Sequence, residues 1–164
     1  MSYKRIPATN AIMRRIIAGI CLLMLTACQP ATPLPAISAQ EGEEFILSVG
    51  QSAQISGTDL TLTLIGVPSD GRCPLDIECT ESGPVIVQTS IQSSANASQD
   101  LSFNTFTDNN GIVPDMDFQG MTTRIEQDGY IVRIKRILPF PQRFEDEIKT
   151  GDYQIGLIVT SSGN

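Results

Sequence analysis

The sequence predicts an all-β protein: a two-layer antiparallel β-sandwich (Ig-like), with a small β-barrel as the alternative. Three observations carry this. From residue 45 onward apolar residues alternate with polar ones instead of recurring at helical spacing. The runs are short and are broken by Gly, Pro, Asn and Asp. No segment has the 3.6-residue period of a helix that could cover an open sheet, so a second sheet is expected to do so. Six or seven strands are expected, in one domain spanning 45–164.

In chain order, "EFILSV" leads to Gly50 and "SAQIS" to Gly57, two short strands that stop at turn residues. "DLTLTLIGV" places Leu60, Leu62 and Leu64 on one face and Thr61, Thr63 and Ile65 on the other, the clearest half-buried strand in the chain. "PVIVQTSIQS" aligns Val85, Val87, Thr89 and Ile91. After the polar "SANASQD", "LSFNTF" aligns Leu101, Phe103 and Thr105, so these two segments read as a hairpin. Asn96, in an "NAS" sequon, is read as part of that turn. "TDNNGIVPDMDFQGMTTRI" has no regular pattern and is expected to be the longest excursion from the sheets. Asp128 and Gly129 signal a turn before the strand "YIVRIKRILPF", in which Val132, Ile134 and Leu138 are expected inside and Arg133, Lys135 and Ile137 outside. Pro139 and Pro141 end that ladder because proline has no N–H to donate. "YQIGLIVTS" closes the domain, with Gly156 marking a bulge or a close approach.

The first 27 residues read as an export signal. Lys4, Arg5, Arg14 and Arg15 precede an apolar run over 16–27. As a helix this run would rise only about 18 Å, short of the roughly 30 Å core that a spanning helix must cross. Its end, "LTAC", resembles the lipobox of bacterial lipoproteins, which implies cleavage before Cys28 and lipidation of that residue. Residues 28–44, with Pro30, Pro33 and Pro35, read as the tether. At about 3.1 Å per residue a Pro-rich leash of about 15 residues reaches roughly 45 Å. Gln29 is not the aspartate that holds many enterobacterial lipoproteins in the inner membrane. The expected location is therefore the extracytoplasmic side of the cell envelope, at the outer membrane or the cell surface.

All 18 acidic residues lie after the signal, whereas four of the 11 Lys and Arg residues lie within it, leaving 7 − 18 = −11 for the mature chain. Such a surface repels nucleic acid and anionic headgroups, so no nucleic-acid partner is expected. The chain has no histidine. That excludes Ser/His/Asp and Cys/His catalysis and the usual zinc hydrolase sites. Carboxylate chemistry alone stays open. It needs two facing acids, one with a raised pKa, and a chain without tryptophan has poor means of stacking on a sugar ring. No catalytic residue is nominated.

"DGRCPLDIECTESG" holds Cys73 and Cys79, the two cysteines left once Cys21 is discarded and Cys28 is lipidated. Two thiols without histidine cannot make the usual four-ligand zinc site, and five intervening residues do not fit a thioredoxin-like pair. In an exported chain they are expected to form a disulfide. The ring would firm up a crossover between sheets. It would also present Arg72, Asp76, Glu78 and Glu81 as a candidate binding loop. Around these residues the chain resembles a loosely defined group of small secreted bacterial proteins and lipoproteins. The matching positions are Asp70, Arg72, Cys73, Pro74, Cys79 and Gly83, followed by an "LPFP" turn at 138–141 and a closing strand from Tyr153. Gly71 stands where that group has serine and Glu81 where it has tryptophan. The resemblance implies a β-rich envelope domain and brings no activity with it.

Two further clusters carry chemistry. Asp108, Asn110, Asp115 and Asp117 surround Gly111 like a calcium loop, with Glu145, Asp146 and Glu147 as further oxygen donors. Aligned on the glycine, however, the first ligand position is Phe106, so a solvated acidic loop is the main expectation and no cofactor is assigned. Arg133, Lys135 and Arg136 form the one basic cluster, to be neutralised by neighbouring acids or to dock an acidic partner. The expected function is non-catalytic binding or scaffolding at the envelope, by a lipoprotein held to the membrane through its N-terminal lipid and meeting an envelope protein. The alternatives are an inhibitor of an extracytoplasmic protease and a carboxylate-dependent hydrolase.

Overall fold

The computed structural model describes residues 34–116 and 118–163, so the segment read as an export signal, Cys28 and Asp117 lie outside the described residues. The described residues form nine strands: β1 (Ile37–Ala39), β2 (Phe45–Ser48), β3 (Ser52–Ile55), β4 (Thr61–Asp70), β5 (Val85–Gln92), β6 (Gln99–Thr105), β7 (Arg124–Gln127), β8 (Tyr130–Leu138) and β9 (Gln154–Ser161). They build a five-stranded sheet in the order β1-β3-β4-β5-β6 and a four-stranded sheet in the order β2-β9-β8-β7. This is the β-sandwich expected from the sequence, and no barrel closes. All ladders are antiparallel except β1 with β3, where Ile37 lies opposite Ala53 in a parallel pair.

The inner faces follow the period-2 pattern. Leu60, Leu62 and Leu64, then Val85, Val87, Thr89 and Ile91, then Leu101, Phe103 and Thr105 are all buried, while Ile65 is exposed. Leu47, Val132, Ile134, Ile155, Leu157 and Val159 meet them from the other sheet. Burying a large aliphatic or aromatic side chain in this way contributes about 1.5–3 kcal/mol. Pro68 sits in the central strand β4 without breaking it. The β4–β5 ladder slips between Gly66 and Ser69, and a proline is tolerated at such a bulge because the ladder asks for no N–H there.

Three features depart from the sequence reading. Strand β1 lies inside the segment read as tether, because its edge position asks for only three residues beside β3. Strand β7 emerges at the end of the segment read as irregular. It pairs with β8 through a two-residue turn in which Asp128 and Gly129 have φ of 54° and 79°, as a type I′ hairpin requires. The third departure is in β8, where Ile137 is fully buried and Leu138 only half-buried, the reverse of the expected facing. The cause is a slip of the β8–β9 ladder between Ile134 and Arg136, which turns every later side chain to the opposite face. Gly156 lies opposite this bulge, and a Cβ there would collide with the Glu44 carboxylate and stand 2.9 Å from Arg136 Cβ. The close approach expected at Gly156 is thus real.

Candidate functional site

The registers bring three long connections to one end of the sandwich. Asp70 ends β4 opposite Val85, which starts β5, and Val85 lies opposite Thr105, which ends β6. In the other sheet Leu138 ends β8 opposite Gln154, which starts β9. The connections 71–84, 106–123 and 139–153 therefore leave together, and the Arg72 side chain ties the two sheets at this point.

Arg72 is the main correction to the expected binding loop. It is not displayed to solvent, and its side chain is completely buried. Its Nε and Nη2 donate to the two oxygens of Asp70 at 2.9 and 2.6 Å. Its remaining donors reach backbone carbonyls of the other sheet, Nη1 to Ile137 at 2.9 Å and Nη2 to Pro139 at 2.8 Å. The guanidinium lies 5.1 Å from the centre of the Phe140 ring. Tyr153 Oη donates to Asp70 Oδ2 at 3.0 Å. A buried guanidinium is tolerated when its fork is filled in this way, and here it is. Burial alone pushes the Asp70 carboxyl up, but the hydrogen bonds and charge of Arg72, its backbone N–H and the Tyr153 hydroxyl together hold it below the ordinary value. Burial, and then the Asp70 charge, push the Tyr153 hydroxyl well above its ordinary value.

Beyond this clasp the loop closes on itself. Gly83 N donates to Gly71 O at 2.6 Å, and a Cβ on Gly83 would stand 2.8 Å from that oxygen, so the neck of the loop requires glycine. Cys73 and Cys79 are joined as a disulfide, with Cα atoms 5.9 Å apart. Asp76 accepts the backbone N–H of Phe144 at 2.9 Å, which fastens the ring to the β8–β9 connection. Glu78 and Glu81 stand exposed, as do Leu75, Ile77 and Phe144. Of the four residues expected to form a binding loop, one is buried structure, one is a loop fastener and two face solvent.

The acidic segment behaves as a structural turn. Asp108 Oδ1 accepts the backbone N–H groups of Asn110 and Ile112 at 2.9 and 2.8 Å, and these bonds, the Ile112 one first, hold its carboxyl below the ordinary value. Asp115 is shared by Lys135 and by Arg133, the latter at 3.1 Å. Arg136 Nε lies 3.3 Å from Glu44. All three members of the basic cluster therefore have an acid beside them. No group of three or more metal-ligating acids or cysteines forms among the described residues.

What the same segment does build is a groove of about 520 Å³ lined by Phe106, Ile112, Pro114, Phe118 and Met121, with Thr107, Asp108 and Gln119 at its polar margin. Gly111 seats it against the sandwich. Ile137 N donates to Gly111 O at 2.8 Å, and at φ 77° a Cβ on residue 111 would collide with Ile137 O. Sequence reasoning passed over this groove. The available signal was the density of large apolar residues in a stretch without strand alternation, where nothing obliges them to enter the core. A second recess of about 350 Å³, between the cysteine loop and the β8–β9 connection, is polar and includes Asp70, Arg143, Asp146, Glu147 and Tyr153.

Comparison with protein-family models, with curated proteins and with solved structures found no match.

Proposed function

We propose that this chain is an envelope lipoprotein whose β-sandwich is a non-catalytic binding module, with the apolar groove at the cysteine-loop end as its contact surface. The observation that supports it most is the groove itself: five apolar side chains line an open groove of about 520 Å³, the composition expected of a binding site. Backbone hydrogen bonds from Ile137 N to Gly111 O and from Val113 N to Lys135 O fasten the groove segment to β8, which lowers the ordering cost of binding. The hydrolase alternative draws little from the polar recess. A general acid needs a raised carboxyl pKa, and Asp70 is held in the opposite direction. A specific observation favours protease inhibition as the second reading: the stapled ring exposes Leu75 and Ile77 on a loop fastened by Asp76.

The full chain, probed with the neutral dye Nile red, tests the groove. Saturable fluorescence enhancement, lost in an Ile112→Asp, Phe118→Asp double variant with an unchanged melting curve, is the expected result. Enhancement that survives the double variant would place binding elsewhere. Inhibition of a serine, cysteine and metalloprotease panel by the wild type, removed by Leu75→Asp, would establish the second reading instead.

A further inference from the structure

We infer that the cysteine-loop end of the sandwich rests on the phospholipid bilayer, its exposed apolar side chains in the interfacial layer. The inference rests on the lipoprotein reading of Cys28 and names the partner of the surface proposed above. Two independent features of the fold point the same way.

The first is where the exposed apolar residues lie. Leu75, Ile77, Phe106, Ile112, Phe118 and Phe144 are all exposed, and all belong to the three connections that leave at this end. Phe144 is 71% exposed. At the opposite end the turns 40–44, 56–60, 93–98 and 128–129 expose no large hydrophobic side chain. Ile46 and Ile65 are exposed as well, but singly and in the middle of β2 and β4, so the clustered exposed apolar residues are those of this end, and a clustered apolar surface marks an interaction site.

The second is the direction from which the chain enters. Strand β1 runs parallel to β3 and therefore opposite to β4 and β6, so the residues preceding Ile37 point toward the end where β4 and β6 finish. Gln51 Nε2 donates to Pro35 O at 3.1 Å, which keeps the entering chain alongside the residue preceding β3. Ile37 is level with Ala53, Leu62, Ile91 and Gln99 across the sheet. Thr105, at the end of β6, is six residues further on than Gln99, about 20 Å at the rise of a strand. From Ile37 back to Leu34 the chain takes three of those steps, and from Leu34 to Cys28 there are 34 − 28 = 6 more. Six residues span at most about 20 Å. A lipid on Cys28 can therefore stand at most roughly 10 Å beyond the level at which Phe106 and the cysteine loop emerge, too little to hold this end well clear of a bilayer that it faces. The leash is far shorter than the 28–44 segment suggested, because β1 takes up part of that segment.

Charge does not drive the contact. The mature chain has 7 basic against 18 acidic residues, so anionic headgroups repel it and the attraction is apolar, at an interface to which the anchor already holds the domain.

The test is photo-crosslinking of the full chain in a bacterial envelope, with a diazirine side chain introduced in turn at Leu75, Ile112, Phe118 and, in the opposite turn, Ser98. All four positions are exposed, so folding is undisturbed, and the mass of the N-terminal peptide reports acylation of Cys28 in the same samples. Phospholipid adducts severalfold more abundant at the first three positions than at Ser98, and insensitive to salt, are expected. Equal adducts at all four positions, or protein adducts without phospholipid ones, would overturn the inference while an acylated Cys28 leaves the lipoprotein reading standing. An unacylated Cys28 would overturn the lipoprotein reading, and the inference with it.

Discussion

Replacing Arg72 by alanine tests whether the clasp between the sheets holds this end together. The variant leaves an Asp70 side chain only 11% exposed, and it leaves the carbonyls of Ile137 and Pro139 without their donors. Breaking a buried ion pair by removing one partner costs about 3–5 kcal/mol. The lower half of that range is expected, because Tyr153 and the residue 72 N–H still donate to Asp70. Against a total stability of about 5–15 kcal/mol for a domain, the loss is large. It is measured by urea unfolding followed by far-UV circular dichroism, with the disulfide kept oxidised. With a slope of about 1–3 kcal/mol per molar urea, the midpoint falls by roughly 1 M or more. The Asp70→Asn, Arg72→Met double variant should recover part of the loss, since it strands no charge. The pH dependence gives a second readout. The Asp70 pKa is lowered on folding, so its contribution is complete above the unfolded value near 3.9 and disappears as pH falls through the lower folded value. Arg72→Ala removes the largest of the influences that lower it, so the difference between wild type and variant should shrink on acidification below about pH 4. A loss under about 1 kcal/mol, the level of a surface pair, with no change in that difference, would refute the clasp.

Three other outcomes follow from the same structure. Replacing Cys73 and Cys79 together by serine opens a ring of seven residues and should cost about 2.4 kcal/mol in the chain-entropy treatment, read as a lowered urea midpoint. Gly111→Ala should destabilise clearly more than Gly120→Ala, since both have positive φ but only the first meets a carbonyl oxygen; equal melting temperatures would show that the 106–113 segment is not seated on β8. Millimolar calcium should leave the melting temperature unchanged, because Asp108 already serves backbone N–H groups and Asp115 serves Lys135 and Arg133; a rise that chelator reverses would reinstate the calcium loop.

Much of the sandwich was legible in the sequence because strand faces are a local property. Leu60, Leu62 and Leu64, and likewise Val85, Val87 and Ile91, announce their buried face through alternation alone, and Asp128 with Gly129 announces its turn through the φ it needs. The pairing of Cys73 with Cys79 was legible for a different reason, since the lipoprotein reading sets Cys21 and Cys28 aside and leaves these two to each other. Where alternation fails, so does the reading. The slip at the β8 bulge is set by β9, which no pattern within β8 records, and it reverses Ile137 and Leu138.

The candidate surface was the least legible part. Arg72, in a loop rich in charge and glycine, reads as an exposed residue because every contact that buries it is distant: Ile137 is 65 residues away and Pro139 is 67. The groove is likewise an assembly of side chains from an irregular segment, and irregular backbone has no period from which to read a face. The sequence by itself determined the fold class, the faces of β4, β5 and β6 and the pairing of the cysteines, all of which depend on neighbours or on elimination. Only the tertiary structure decided that Arg72 is a clasp, that β8 changes phase and that three connections gather their apolar side chains where the chain enters. Those properties depend on which segments meet, and that is settled by packing across the two sheets.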